Sequence, residues 1–191
     1  MKRRIFVGVP LSDEVRRGVS RVVKRLVQKR WPIKWEAAKK CHITVAFLGW
    51  ITEVQLVQIV QIVKEAAKGF DSFAVEFKGL GAFPDLVRPR VVWLGLKGDL
   101  RPLARLYQRV RQKLEASGFE LEQRPFVPHV TVGRMGREVG IKLRSEMGRQ
   151  IKKLTNMDLP YEWRVDRVIV YESQMKRSGS EYRILEEIKL T

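Results

Sequence analysis

A chain of 191 residues, 45% hydrophobic and 31% charged, has enough apolar material for one large domain or two small lobes and is not a disordered one. Its single cysteine, Cys41, excludes an internal disulfide framework and fits a reducing cytoplasm, and no apolar run approaches the ~20 residues of a membrane span. The formal net charge of +17 attracts polyanions, so nucleic acid is the expected partner; a basic proteome or growth at high temperature is the bland alternative.

The first ten residues, Met1 to Pro10, are basic and then apolar. The apolar part is too short for a signal peptide and reads as a first strand, Arg3 to Val9. Ser12 is placed to cap a helix with Asp13 and Glu14 in its first turn. Its apolar stripe is Val15, Val19, Val22, Val23, Leu26 and Val27, and Arg16, Arg17, Arg21, Lys24, Arg25 and Lys29 form the other face. That basic face reads as solvated before it reads as an RNA groove. Trp31-Pro32 closes the helix, and Lys34-Trp35-Glu36 is a short extended piece. A strand from His42 through Phe47 is expected to stop at Gly49. Thr52-x-x-Gln55 is a capping box opening a helix to about Lys68, with Leu56, Ile59, Val60, Val63 and Ala67 inward. Gly69 ends it.

Phe73 to Phe77 alternates as a strand, and the run from Gly79 to Pro84 is expected to break the order. Arg90 to Leu96 is nearly all apolar, as in a strand covered on both faces. Asp99 is placed to cap a third helix with the stripe Leu100, Leu103, Leu106, Tyr107, Val110 and Leu114, closed by Gly118. Glu138 to Leu154 reads as a basic, poorly periodic helix. Trp163 to Tyr171 and Glu181 to Glu186 alternate and are separated by a polar segment with Ser178-Gly179-Ser180, which makes them a hairpin-like pair. Helices and strands mix without strict alternation, so the fold class is α+β.

The chemistry gathers in two tetrads, His42-Ile43-Thr44-Val45 and His129-Val130-Thr131-Val132, which open on the chain's two histidines. On a strand, His and Thr at i and i+2 share a face while the apolar residues take the other. One neutral and one charged imidazole can take a proton from water and give one to a leaving oxygen across a phosphorus atom, with both hydroxyls on the phosphoryl oxygens. Arg134 falls on the wrong face of a perfectly extended strand, and a turn at Gly133 is needed to bring it to the phosphate. Beyond the tetrads nothing repeats clearly, so an internal duplication rests on them alone. A zinc site needs three or four ligands and Cys41 points away from His42. No second base serves Cys41 as a nucleophile, no Gly-x-Ser-x-Gly elbow occurs, and Gly79-Leu80-Gly81 lacks the spacing of a phosphate loop.

HITVAFLG and PHVTVGR resemble the paired motifs of the two-histidine phosphoesterases. RIFVGVPL, GAFP followed by PRVVWLGL, and ESQMKRSGSEY extend the likeness over nearly the full length to the bacterial and archaeal RNA 2′,3′-cyclic phosphodiesterases, formerly 2′-5′ RNA ligases. The resemblance implies one bilobal α+β domain over 1–191, with two antiparallel-rich sheets flanking a central cleft and helices outside. It implies hydrolysis of a 2′,3′-cyclic phosphate to a 2′-phosphomonoester with no metal and no cofactor. His42 is then the proton donor to the 3′ oxygen and His129 the base, while Thr44, Thr131 and Arg134 hold the phosphate. Val45 and Val132 stand where the family usually has leucine, a conservative core change. Tyr182 is a possible pocket residue, with core packing the plainer reading. The implied partner is RNA with a 2′,3′-cyclic end, the implied state a cytoplasmic monomer away from membranes. Ligation of such an end to a 5′-hydroxyl and a non-catalytic RNA or nucleotide receptor stay open beside hydrolysis.

Overall fold

The computed structural model describes residues 2–157, 159–176 and 179–191. Strand β1 (Lys2–Pro10) sends Ile5, Val7 and Val9 into the main core, while Phe6 joins a smaller cluster with Ile169, Tyr171 and Tyr182. Helix α1 (Asp13–Val27) follows, its N-terminus capped by the Ser12 hydroxyl accepting from the Val15 N–H. Val15, Val19, Val22 and Leu26 are buried as the stripe predicts, but Val27 lies outside it, 48% exposed. Gly18 is buried because Tyr161 packs flat against it, where a Cβ would meet the ring at 2.8 Å.

Strand β2 (Ile33–Trp35) and a 3-10 turn (Ala38–Lys40) lead to β3 (His42–Thr52). This strand does not stop at Gly49. Ile5 pairs with Gly49 and Phe6 with Phe47, so Leu48 is bulged and Gly49, at φ 70°, carries the strand onward. The Thr52–Gln55 capping box opens α2 (Glu53–Ala67) as expected. Strand β4 (Phe73–Phe83) runs through the glycines that were expected to end it. Gly79 is a bulge pressed by the Leu154 carbonyl, and Gly81 lies under the Trp93 ring, so both glycines admit close neighbours rather than breaking the strand.

Strand β5 (Val91–Lys97) buries Val92, Leu94 and Leu96, whereas Val91 and Trp93 are only partly buried. Its second face is therefore not covered as the apolar run suggested. Helix α3 (Arg101–Ala116) fully buries Leu103, Leu106, Val110 and Leu114, each contributing about 1.5–3 kcal/mol. The Asp99 carboxylate accepts from the Arg101 N–H at its start, and Gly118 (φ 84°) follows its end. Strand β6 (His129–Met135) and α4 (Ile141–Lys152) come next. The expected strand from Trp163 to Tyr171 is two strands, β7 (Glu162–Val165) and β8 (Arg167–Lys176). Core residues fall at Trp163 and Val165, then at Val168 and Val170, so the alternation slips by one residue at Asp166. Strand β9 (Gly179–Lys189) pairs with β8 as the expected hairpin, while Arg177 and Ser178 between them lie outside the described residues.

The strands form one antiparallel sheet in the order β7-β4-β5-β6-β3-β1-β8-β9, with β2 also on β6. The two sheets implied by the resemblance are its two halves, joined at the pair Ile43↔Val130. Past that pair β3 leaves β6, and β2 takes the vacated edge through Trp35↔Gly133 and Ile33↔Met135. The order reads alike outward from the joint. β6-β5-β4 on one side matches β3-β1-β8 on the other, and the third strand of each half comes from the other half of the chain. The likeness between the two halves thus extends beyond the tetrads to the order of their strands. α2 and α3 pack on each other and on β3, and α4 packs on β4. No helix among the described residues is long and apolar enough to cross a membrane.

Candidate active site

The joint between the half-sheets sets the site. Ile43 and Val130 are paired and buried, so the flanking positions of an antiparallel register place His42 opposite Thr131 and Thr44 opposite His129. These four side chains share the face away from the core. In a regular sheet the two histidines are diagonal neighbours about 7–8 Å apart, the span of a phosphoryl group with a hydrogen bond on either side. All four line one cleft of about 670 Å3, together with Arg134 and Tyr182. All six residues singled out in the sequence are thus brought together.

Both imidazoles are held in the same way. His42 Nδ1 lies 2.7 Å from the Lys40 carbonyl, and His129 Nδ1 lies 2.7 Å from the Val127 carbonyl. A carbonyl can only accept, so each Nδ1 carries the proton and each Nε2 is left as the atom that gains or loses one. Aromatic rings fix the planes. Tyr182 stands edge-on to His42 at 5.3 Å and 84°, and Phe83 stands edge-on to His129 at 4.8 Å and 84°. Burial pushes the His42 pKa down to about 4, against the bond to Lys40, with His129 and Arg134 lowering it further. His129 is lowered too, first by burial and then by Arg134, against the bond to Val127. Both shifts favour the neutral ring at pH 7.

Arg134 reaches the cleft by a bulge rather than by a turn at Gly133. Val92 pairs with Gly133 and Trp93 with Thr131, so Val132 is the extra residue and everything after it changes face. The Val132 carbonyl accepts from the Glu36 N–H at 2.9 Å, and the Glu36 carboxylate pairs with Arg134 at 3.5 Å. Gly133 is required for another reason: a Cβ there would meet Ile33 at 2.4 Å. The first tetrad bulges at the matching residue, since Val7 pairs with Ala46 and Gly8 with Thr44, leaving Val45 extra. Phe47 therefore stands in β3 where Arg134 stands in β6, and it lines the cleft 53% exposed. Aligning HITVAF with HVTVGR would have found Phe47 from sequence; Phe83, Tyr107 and Phe126, which also line the cleft, had no such signal.

Tyr182 does both things considered for it, packing on Phe6 at 4.9 Å and lining the cleft. Cys41 is buried beside the cleft floor, and burial pushes its thiol up to about 12, which leaves it inert.

Paired His-x-Thr strands meeting at the centre of one antiparallel sheet are the arrangement expected from the resemblance to the two-histidine phosphoesterases. The sequence matches the 2′-5′ RNA ligase superfamily over residues 19–177, and the chain belongs to that family. It is 31% identical over 185 residues to a Thermotoga maritima protein named RNA 2′,3′-cyclic phosphodiesterase, covering 96% of this chain and 94% of that one. A Methanothermobacter thermautotrophicus protein of the same name is 30% identical over 190 residues, with full coverage of both chains. E. coli LigT in its apo form has the same fold, with a TM-score of 0.80 at 23% identity, covering 100% of this chain and 98% of that chain.

Proposed function

We propose that this chain hydrolyses RNA 2′,3′-cyclic phosphate ends to 2′-phosphomonoesters by metal-free acid–base catalysis, in the cytoplasm. The observation that carries the proposal is the pair of Nδ1–carbonyl hydrogen bonds, which turn two Nε2 atoms on one cleft beside two threonine hydroxyls. His129 Nε2 takes a proton from water as its oxygen bonds to phosphorus. The P–O3′ bond breaks, the 3′ oxygen takes the proton of His42 Nε2, and the phosphate stays on O2′. The bound phosphate anion raises the affinity of both rings for a proton, which provides the charge that His42 lacks in the empty cleft. Thr44, Thr131 and Arg134 hold the non-bridging oxygens, and Phe47 offers the terminal base an apolar face. Support for a mechanism without metal comes from the donor set. Among the described residues no three His, Cys, Asp or Glu side chains converge.

The test is incubation of the protein, in EDTA, with an oligoribonucleotide ending in a 2′,3′-cyclic phosphate. A 2′-phosphate product from the wild type and none from His129→Ala supports the proposal. Loss of activity in EDTA with recovery on adding zinc refutes it, and a longer product in the presence of a 5′-hydroxyl strand reassigns the reaction to ligation.

A further inference from the structure

The cleft continues past Phe47. Tyr107, Arg111, Arg124 and Phe126 form its far wall and are shared with a second hollow of about 530 Å3, which Ala104, Gln108 and Gln123 complete. Ala104, Tyr107, Gln108 and Arg111 fall at i, i+3, i+4 and i+7 on α3, one helical face. The segment between α3 and β6 supplies the rest. Phe126 stacks on Tyr107 with ring centroids 3.9 Å apart and planes within 10°. Arg111 fixes this wall by donating to the Tyr107 hydroxyl at 3.2 Å and to the Glu122 carbonyl at 2.8 Å, while pairing with Glu115 at 2.8 Å. Arg124 pairs with Glu122 at 3.0 Å, with side chains 77% and 57% exposed, a contact weak enough to yield to a phosphate.

The lining of this hollow is two aromatics, two amides, two guanidiniums and an alanine, with Glu115 and Glu122 behind the guanidiniums rather than in the lining. That is the chemistry of a nucleotide: a ring to stack, edges to hydrogen-bond and an anion to pair. The cleft's opposite end differs. A hollow of about 410 Å3 shares Lys40, His42 and Tyr182 with the cleft, but Asp13, Asp166 and Glu187 line it. These carboxylates pair with Arg16 and Arg167, and the hollow's aromatic side chains, Tyr171 and Tyr182, are not stacked face to face with each other as Tyr107 and Phe126 are.

Resting on the cyclic phosphodiesterase reading, we infer that the α3 hollow is a subsite for the nucleotide on the 5′ side of the cyclic end. Its base lies on the Phe126–Tyr107 stack with its edge toward Gln108 and Gln123, and the phosphate joining it to the terminal nucleotide meets Arg124.

The experiment compares kcat/KM for a tetranucleotide ending in a 2′,3′-cyclic phosphate with that for cytidine 2′,3′-cyclic phosphate. The subsite predicts a preference for the tetranucleotide of about tenfold or more, falling as salt rises. Ala104→Trp fills the hollow and brings the ratio toward one. Gln108→Ala, at an exposed position with no folding risk, lowers it in part. Lys39→Gln, in the opposite hollow, leaves the ratio as in the wild type. A wild-type ratio near one, a ratio that survives both Ala104→Trp and Gln108→Ala, or one that collapses in Lys39→Gln, overturns the inference. No turnover of either substrate overturns the functional reading itself, and the subsite with it.

Discussion

A histidine kept neutral by burial must make the fold sensitive to acid, and this sensitivity can be isolated. Burial takes the His42 pKa from 6.5 to about 4 in the folded chain. As pH falls through 6.5 the unfolded chain binds a proton at this ring and the folded chain does not. Stability is therefore whole above about pH 7 and is lost as pH drops toward 4. Integrated to pH 4.5, the difference is about 2–3 kcal/mol from this one ring. His42→Asn keeps a side-chain N–H for the Lys40 carbonyl but cannot titrate. Urea unfolding at pH 7.5 and pH 4.5, for wild type and His42→Asn, gives four stabilities whose double difference cancels the titrating groups that do not interact with His42. The wild type should lose about 2–3 kcal/mol more than the variant. A double difference below about 0.5 kcal/mol would mean that His42 is well hydrated, and the reasoning about the cleft would fail.

Other consequences follow from the same geometry. With both rings lowered, the limbs of the kcat/KM profile lie below 6.5, so its maximum falls between about pH 4 and 6.5; the kcat profile lies higher, because the bound anion favours the charged ring. A kcat/KM maximum above pH 8 contradicts this. Arg144, buried in α4, donates to the carbonyls of Val139, Pro89 and Gly136 at 2.7–2.8 Å and so ties the exit of β6 to the approach of β5. Arg144→Met leaves three carbonyls without their donor and should cost about 3–5 kcal/mol by urea unfolding; less than 1 refutes the assignment. Gly79→Ala drives a Cβ to 2.0 Å from the Leu154 carbonyl and should cost at least about 3 kcal/mol, whereas Gly49→Ala, at φ 70° in open space, should cost about 1–2.

What could be read in the sequence was what depends on local period. The Ser12 cap, the Thr52–Gln55 box, the α3 stripe and the common face of His and Thr follow from spacing within a few residues, and the structure has them all. What was misread depends on partners. Gly79 and Gly81 look like punctuation until the Leu154 carbonyl and the Trp93 ring are seen to occupy their Cβ positions. The β7–β8 break was present as a one-residue slip at Asp166, but a slip alone does not say that the two pieces join opposite halves of the sheet. Arg134 does line the cleft, but by another device than the expected turn, because a bulge at Val132 is invisible without the pairing to β5. The Tyr107–Phe126 stack joins a helix to a segment of irregular backbone, and no periodicity announces it.

The central claim is that two imidazoles, each with its proton on Nδ1, present Nε2 to one phosphate. The chain has only two histidines, so long-range 15N–1H correlation gives two ring systems without assignment ambiguity. In the free protein at pH 7.5 both should be neutral Nδ1–H tautomers. Adding 2′-AMP, a phosphomonoester of the product class, should move both Nε2 resonances and raise both titration midpoints. A ring found as the Nε2–H tautomer, or one that ignores the ligand while the other responds, would contradict the two-histidine site.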